Sequence, residues 1–252
     1  MSGKTIVFAN QKGGVGKTTT AVSLGAYLAE QGKRVLLVDF DPQGNLSSSV
    51  GADKKRAGIY DVLSGRKGIS EVIQNTKTDK LFIVPSNIDL TGANIELVDK
   101  EGRDFFLKEA LAGTNGEWDY VLIDCPPSLG ILTVNGLTAA DSVIIPLQCE
   151  YFALEGLSLL LKTIKKVRES LNPGLNIHGI LFTMYDARTR LAHEVVEEVT
   201  SYFKDKVFRT VIPRNVRLSE APSHGISINL YDRECAGAKC YESLAQEVIQ
   251  RG

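Results

Sequence analysis

The sequence predicts an α/β protein, a doubly wound and mostly parallel sheet with helices on both faces. Three observations predict it. Short runs such as TIVFA, VLLVD, YVLID and SVIIP are nearly continuous in β-branched and apolar residues, which suits strands buried on both faces. These runs alternate with stretches of helical period from one end of the chain to the other, the pattern of right-handed βαβ crossovers. No Pro/Gly/Ser-rich linker, low-complexity stretch or internal repeat divides the 252 residues, so the expectation is one domain over residues 1–252.

The elements follow in order. A strand is expected over residues 5–9, then a glycine-rich loop, then a helix over 18–30 in which Ala21, Leu24, Gly25 and Leu28 recur at helical spacing. Residues 34–39 read as the next strand. Residues 44–80 are the least regular part, with a serine run, a charged run at 54–56 and a small apolar patch at 59–63; they read as a surface excursion with short helices. Strands follow over 81–84, 120–124, 142–147, 177–184 and 207–212. Helices are expected over 154–171 and 191–203. In residues 237–252, Tyr241, Leu244, Ala245, Val248 and Ile249 form one apolar face. The opposite face carries Glu242, Gln246, Glu247 and Gln250 rather than the lysines and arginines of a membrane-lying helix. A terminal helix docked on the core fits better.

Composition excludes several classes. The net charge is -1, with 43% hydrophobic and 23% charged residues, a globular profile. No apolar run approaches the length of a spanning helix, and the first residues lead straight into a strand with no signal peptide. Four cysteines without a CxxC pair do not make a disulfide scaffold. The expected compartment is therefore the reducing cytoplasm. The neutral total hides an asymmetry: residues 1–160 hold 15 basic and 19 acidic side chains, whereas 161–220 hold 11 and 7. A basic segment of this kind points either to a polyanion partner or to solvated helix faces.

The strongest motif is Gln11-Lys12-Gly13-Gly14-Val15-Gly16-Lys17-Thr18-Thr19. It stands between a strand and a helix, the context of a phosphate loop. Glycines let backbone N–H groups turn inward, and the helix start adds unpaired donors and a positive dipole end. Lys17 supplies a point charge to the β- and γ-phosphates, and the Thr18 hydroxyl can ligate Mg²⁺. Two departures from GxxxxGK[ST] stand out: Gln11 replaces the first glycine, and Lys12 adds a second lysine at the mouth of the loop. Lys12 is badly placed to wrap its own loop.

Carboxylates complete the constellation. Asp39 and Asp41 follow a strand, where ligands of a doubly wound sheet bind, and alternation points them to one side. One could reach the Mg²⁺ shell while the other orients an attacking water; alternatively, Asp39 caps the following helix. Asp124 ends four apolar residues in a Walker B pattern, which holds Mg²⁺ through its waters. Cys125 beside it reads as a small residue under the sheet.

KGGVGKTTT, VDFDPQGN, IDCPPSLG, QCEYFALEG and PRNVRLSEAPSHG, in that order along nearly the whole chain, resemble the ParA-type partition ATPases, in particular the chromosomal branch called Soj, which carry a deviant Walker A motif. The resemblance implies an ATP-hydrolysing enzyme using Mg²⁺ that forms a nucleotide-sandwich homodimer. Lys12 would contact ATP in the opposite subunit, and Lys17 and Thr18 would be the loop lysine and the metal ligand. Asp41 would position water and Asp124 would be the Walker B residue. Pro213 and Asn215 would contact adenine, and Glu150 and Tyr151 would lie near the ribose or the dimer face. The family binds double-stranded DNA without sequence preference when ATP-bound and dimeric, which places it on the nucleoid. Its slow hydrolysis is stimulated by ParB, a centromere-binding partner. Arg188, Arg190 and Arg217 match or lie beside the family's DNA-contacting arginines, although Asp186, Glu194 and Glu220 could instead hold them in ion pairs.

Three other classes share parts of this pattern. A MinD-type membrane-surface ATPase shares the loop, and the terminal helix argues against it. An iron–sulfur protein like the nitrogenase iron protein would need Cys125 and Cys149 as cluster ligands. A GTPase would carry an NKxD-like guanine motif, which the sequence lacks.

Overall fold

The computed structural model describes residues 3–97, 99–114 and 116–252. Among the described residues, seven strands form one sheet: β1 (Lys4–Phe8), β2 (Val35–Asp39), β3 (Gln74–Asn75), β4 (Leu81–Val84), β5 (Tyr120–Asp124), β6 (Ser142–Gln148) and β7 (Asn176–Thr183), in spatial order β3-β4-β2-β5-β1-β6-β7. All pairs are parallel except β3 with β4. The helices are α1 (Lys17–Glu30), α2 (Asn45–Ser49), α3 (Ile59–Leu63), α4 (Leu90–Glu96), α5 (Phe106–Ala112), α6 (Ile131–Ala139), α7 (Ala153–Ser170), α8 (Arg190–Phe203), α9 (Val216–Glu220), α10 (Ile228–Tyr231) and α11 (Ala236–Arg251). The expected α/β class is what the chain adopts.

Strand alternation divides the core into two layers. Ile6, Phe8, Val35, Leu37, Leu122 and Ile144 pack with Leu24 and Leu28 of α1 and with Tyr241, Leu244 and Val248 of α11. Val7, Leu36, Val38, Ile123, Val143 and Ile145 pack on the other face with Leu132 and Leu137 of α6 and Leu157, Leu160 and Ile164 of α7. Cys125 belongs to this second layer, fully buried. A Cβ on Gly136 of α6 would lie 2.6 Å from its sulfur, so the helix backbone presses directly on it.

Two expectations need correction. Residues 207–212 are not a strand: the segment touches β7 through the isolated bridge Ile180–Val207, with Tyr185–Pro213 just beyond it. Glu247 of α11 takes the backbone N–H groups of Arg209 and Thr210, at 2.9 and 3.1 Å, so the middle of the segment serves the helix instead of a ladder. The two-residue β3 lies in the excursion read as irregular, which otherwise holds the expected short helices α2 and α3.

The terminal helix is docked, as its pattern predicts. Tyr241 is buried and its hydroxyl lies 3.1 Å from Thr20 Oγ1 of α1. Arg251 donates to the carbonyls of Val207 and His178 and stacks over Phe208, 4.2 Å from the ring centre. Among the described residues no helix is long and apolar enough to cross a membrane.

Candidate nucleotide-binding site

The carboxyl ends of β1, β2 and β5 are level. Phe8 and Asp39 both pair with Asp124 across the sheet, so the loop after β1 starts level with two acidic strand ends, at the edge of the sheet where ligands of this fold bind. The loop then turns into α1 through Gly14 at φ 74° and Gly16 at φ 84°. That left-handed backbone is strained for any side chain. Two anchors outside the motif hold it. Asn10 donates to the Pro146 carbonyl at 2.8 Å and accepts the Lys12 N–H at 3.0 Å. Thr183, at the end of β7, donates to the Val15 carbonyl at 2.8 Å. Sequence reasoning missed both, although each stands at the carboxyl end of an expected strand, where the fold class says to look.

A cleft of about 670 Å³ opens above the loop. Gly13, Gly14, Gly16, Lys17, Thr18, Thr19 and Asp41 line it, with Pro213 and Asn215 among the residues opposite. Segments expected to share one ligand, separated by some 200 residues of chain, therefore share one cavity. Met184, with a left-handed φ of 48°, also faces it. Asn215 caps α9 by accepting the Arg217 N–H at 2.9 Å.

Lys17 is 6% exposed and donates to the Lys12 carbonyl at 3.1 Å. Burial pushes its pKa down, against the pull of Asp124, Cys125 and Asp41. Thr18 Oγ1 donates to Asp124 at 2.6 Å. Burial, with Asp39 alongside, pushes the Asp124 carboxyl far above the carboxylate range, while Thr18 and Lys17 pull it back. The second oxygen of Asp124 is buried and has no hydrogen-bond partner among the described residues. A hydroxyl beside an orphaned carboxylate oxygen suits a hard cation that takes oxygen ligands. Thr18 and Asp124 would hold Mg²⁺, which when bound would neutralise charge on the β- and γ-phosphates.

Asp39 resolves toward its other role. It is fully buried, does not line the cleft, and accepts the N–H and Oγ–H of Ser47 at 2.8 and 2.6 Å and the N–H of Asp41 at 3.3 Å. Gly44 at the start of α2 has no side chain to cap the helix, and Asp39 caps it instead. Its place in the magnesium shell is set aside, because its oxygens serve protein donors. Burial still raises its pKa to about 6 against those three bonds. Asp41 faces the cleft, with one oxygen oriented by the Gln43 N–H at 3.0 Å.

These carboxyls predict an unusual stability profile. A raised folded pKa means stability is greatest below the ordinary carboxylate pKa of about 4 and is lost as pH rises through the raised value. Both Asp39 and Asp124 carry this sign. The nucleotide-free Asp124→Asn protein should therefore melt roughly 5 °C above the parent near pH 8, with the gap closing toward pH 4. Thermal melts at the two pH values check this, and a variant no more stable than the parent near pH 8 would refute it.

Lys12 and Glu150 are not among the residues lining the cleft. The Lys12 ammonium instead pairs with Glu150, both about half exposed, beside the exposed aromatic pair Tyr151 and Phe152. Arg188, Arg190 and Arg217 are exposed and paired with Asp186, Glu194 and Glu220 at 2.7, 2.7 and 2.9 Å, the ion pairs left open by the sequence. Arg188 grips Asp186 through two nitrogens and holds that carboxyl well below its usual range.

A family model described as an AAA domain matches residues 3–177. The chain is 61% identical over 249 residues to the chromosome-partitioning ATPase Soj of Treponema pallidum, covering 99% of this chain and 98% of that one. It is 56% identical over 252 residues to the sporulation initiation inhibitor protein Soj of Bacillus subtilis, covering 99% and 100%. Among solved structures, a Mycobacterium smegmatis protein described as cobyrinic acid a,c-diamide synthase, with bound ATP analog and magnesium, superposes with a TM-score of 0.87 at 42% identity, covering 98% of this chain and 95% of that one.

Proposed function

The chain belongs to the ParA/Soj chromosome-partitioning ATPases, and from that premise we propose that ATP joins two copies into a DNA-binding dimer which hydrolysis takes apart. It is an ATPase that uses Mg²⁺. One observation carries the dimer: the two lysines of the loop face different ways. Lys17 points into the cradle, whereas Lys12 offers the cradle only its carbonyl and sends its ammonium to Glu150 at the rim. A rim cation in an exposed ion pair can exchange that partner for a phosphate at little cost, since such pairs contribute about 0–1 kcal/mol. A second copy facing the cleft would supply that phosphate.

DNA binding follows the same logic. Arg188, Arg190 and Arg217 have side chains 87%, 92% and 50% exposed, so DNA phosphates can replace their carboxylate partners. Contacts of this kind are independent of sequence and sensitive to salt. A dimer doubles the patch, and two linked patches bind far more tightly than one. ATP thereby becomes the switch for holding DNA, a ParB-type partner the trigger for release, and the nucleoid the place of action. The membrane alternative finds no support in α11, whose apolar face is occupied by the core.

The test is sizing of the hydrolysis-dead Asp41→Ala protein with and without ATP, then with DNA at two salt concentrations. The expected result is a dimer only with ATP, and DNA affinity that falls steeply with salt. Arg217→Ala should flatten the log–log salt slope by about one unit for each lost contact. A strictly monomeric ATP-loaded protein would overturn the sandwich, and an unchanged slope would move the patch elsewhere.

A further inference from the structure

A buried hydroxyl ties the carboxyl ends of β2 and β4 together. Ser47 in α2 is fully buried and donates both its N–H and its Oγ–H to one oxygen of Asp39, at 2.8 and 2.6 Å. Its Oγ accepts the backbone N–H of Ser86, just beyond β4, at 2.9 Å. The hydroxyl thus gives its one proton and takes one in return, filling one of its two acceptor positions. The other Asp39 oxygen accepts the Asp41 N–H at 3.3 Å. The Asp41 carbonyl accepts the Gly44 N–H at 2.9 Å, and its carboxylate accepts the Gln43 N–H at 3.0 Å. The turn from 39 to 47 is therefore closed at both ends, and Asp41 is the side chain it presents to the cleft.

We propose that Ser47 is a positioning residue for ATP hydrolysis, holding through Asp39 the turn that aims the Asp41 carboxylate. The proposal rests on the reading of Asp41 as the group that orients the attacking water. Ser47 is absent from the cleft lining, where its neighbours Ser48 and Ser49 appear, so it acts through the turn and not on the nucleotide. Lys17 and Thr18 belong to a different element, anchored by Asn10 and Thr183. Loosening the turn should therefore leave ATP and Mg²⁺ affinity alone while misplacing the carboxylate. Misplacements near 1 Å cost up to about a hundredfold in rate.

The experiment compares Ser47→Ala and Ser47→Thr for kcat, ATP Kd and the Mg²⁺ concentration at half-maximal rate. Ser47→Ala should lower kcat roughly tenfold, with the other two within about a factor of two of the parent. Ser47→Thr, which restores the hydroxyl, should recover most of the rate. If the alanine protein does not fold, Ser47→Cys keeps the shape with a weak donor and should give an intermediate kcat. Parental kcat in Ser47→Ala, or in Ser47→Cys where alanine does not fold, overturns the proposal, as does a rate loss that threonine fails to restore. A shifted Mg²⁺ requirement with unchanged saturated kcat also overturns it, by returning Asp39 to the metal shell. Asp41→Ala, run in parallel, separates the two readings. If it still turns over, the role of Asp41 falls; if it is dead while Ser47→Ala is fully active, only the role of Ser47 falls.

Discussion

Replacing Lys17 with alanine is expected to weaken ATP binding by roughly two to three orders of magnitude while leaving the fold intact. Lys17 is 6% exposed, its ammonium donates to the Lys12 carbonyl, and it feels the charges of Asp124, Asp41 and Cys125. Burial already costs this cation part of its charge preference, which is the direction of its pKa shift. A triphosphate brings the charge that repays it. Losing a buried charge contact of this type costs about 3–4 kcal/mol, and 1.4 kcal/mol is a factor of ten. The apo fold survives because alanine removes a buried amine whose one hydrogen bond among the described residues is to a carbonyl at the loop mouth. The loop keeps its other anchors at Asn10 and Thr183. Titration calorimetry with ATP reads the effect directly. Parental affinity would mean that the loop is not the phosphate cradle.

The same loop shows what a sequence exposes and what it hides. Its glycines, Lys17 and Thr18 are legible because phosphate binding demands those residue types at that spacing. β1, β2, β5 and β6 are legible because parallel strands buried on both faces read as unbroken apolar runs. α6 was not anticipated, for a related reason: Leu132, Leu137 and even Asn135 are buried, so no polar stripe gives it a period. The side chain of Asn135 instead bonds the Leu107 N–H and the Arg103 carbonyl, partners that no local pattern reveals. Residues 207–212 failed the other way. Their apolar run looks like a strand, and Phe208 and Ile212 do donate to the Ile180 and Phe182 carbonyls of β7, but between them Glu247, some 40 residues on, takes the Arg209 and Thr210 N–H groups and interrupts the ladder. Asp39 and Asp41 were a pair in sequence, and only tertiary hydrogen bonds with Ser47 and Gln43 tell the cap from the carboxylate that meets the cleft. The closure of the cleft by Pro213 and Asn215 was implied by family resemblance, since no spacing rule links residue 17 to residue 215.

Asp41→Ala is expected to do the reverse of Lys17→Ala: ATP stays bound and turnover falls at least a hundredfold. The carboxylate faces the cleft but makes no hydrogen bond to Lys17, Thr18 or Asp124, so its link to the cradle is electrostatic, through Lys17 and Asp124, and not a hydrogen bond. A fixed negative charge beside a triphosphate repels it, and its removal should leave ATP affinity equal or slightly higher. The rate is different. Phosphoryl transfer asks the protein mainly for positioning and charge neutralisation, and a residue that orients water contributes roughly 10²–10⁴ in rate. Asp41 is 8% exposed, and its orientation is set by the Gln43 N–H at 3.0 Å and by the turn that Asp39 and Ser47 close. That preorganisation is the property a water-positioning group needs, because a carboxylate free to rotate would spend most of its time misaligned. Single-turnover measurement with saturating ATP isolates the chemical step from nucleotide exchange. A variant that hydrolyses within about threefold of the parent would assign the water to another group. A variant that loses ATP as well would place Asp41 in the cradle and not over the reacting phosphate.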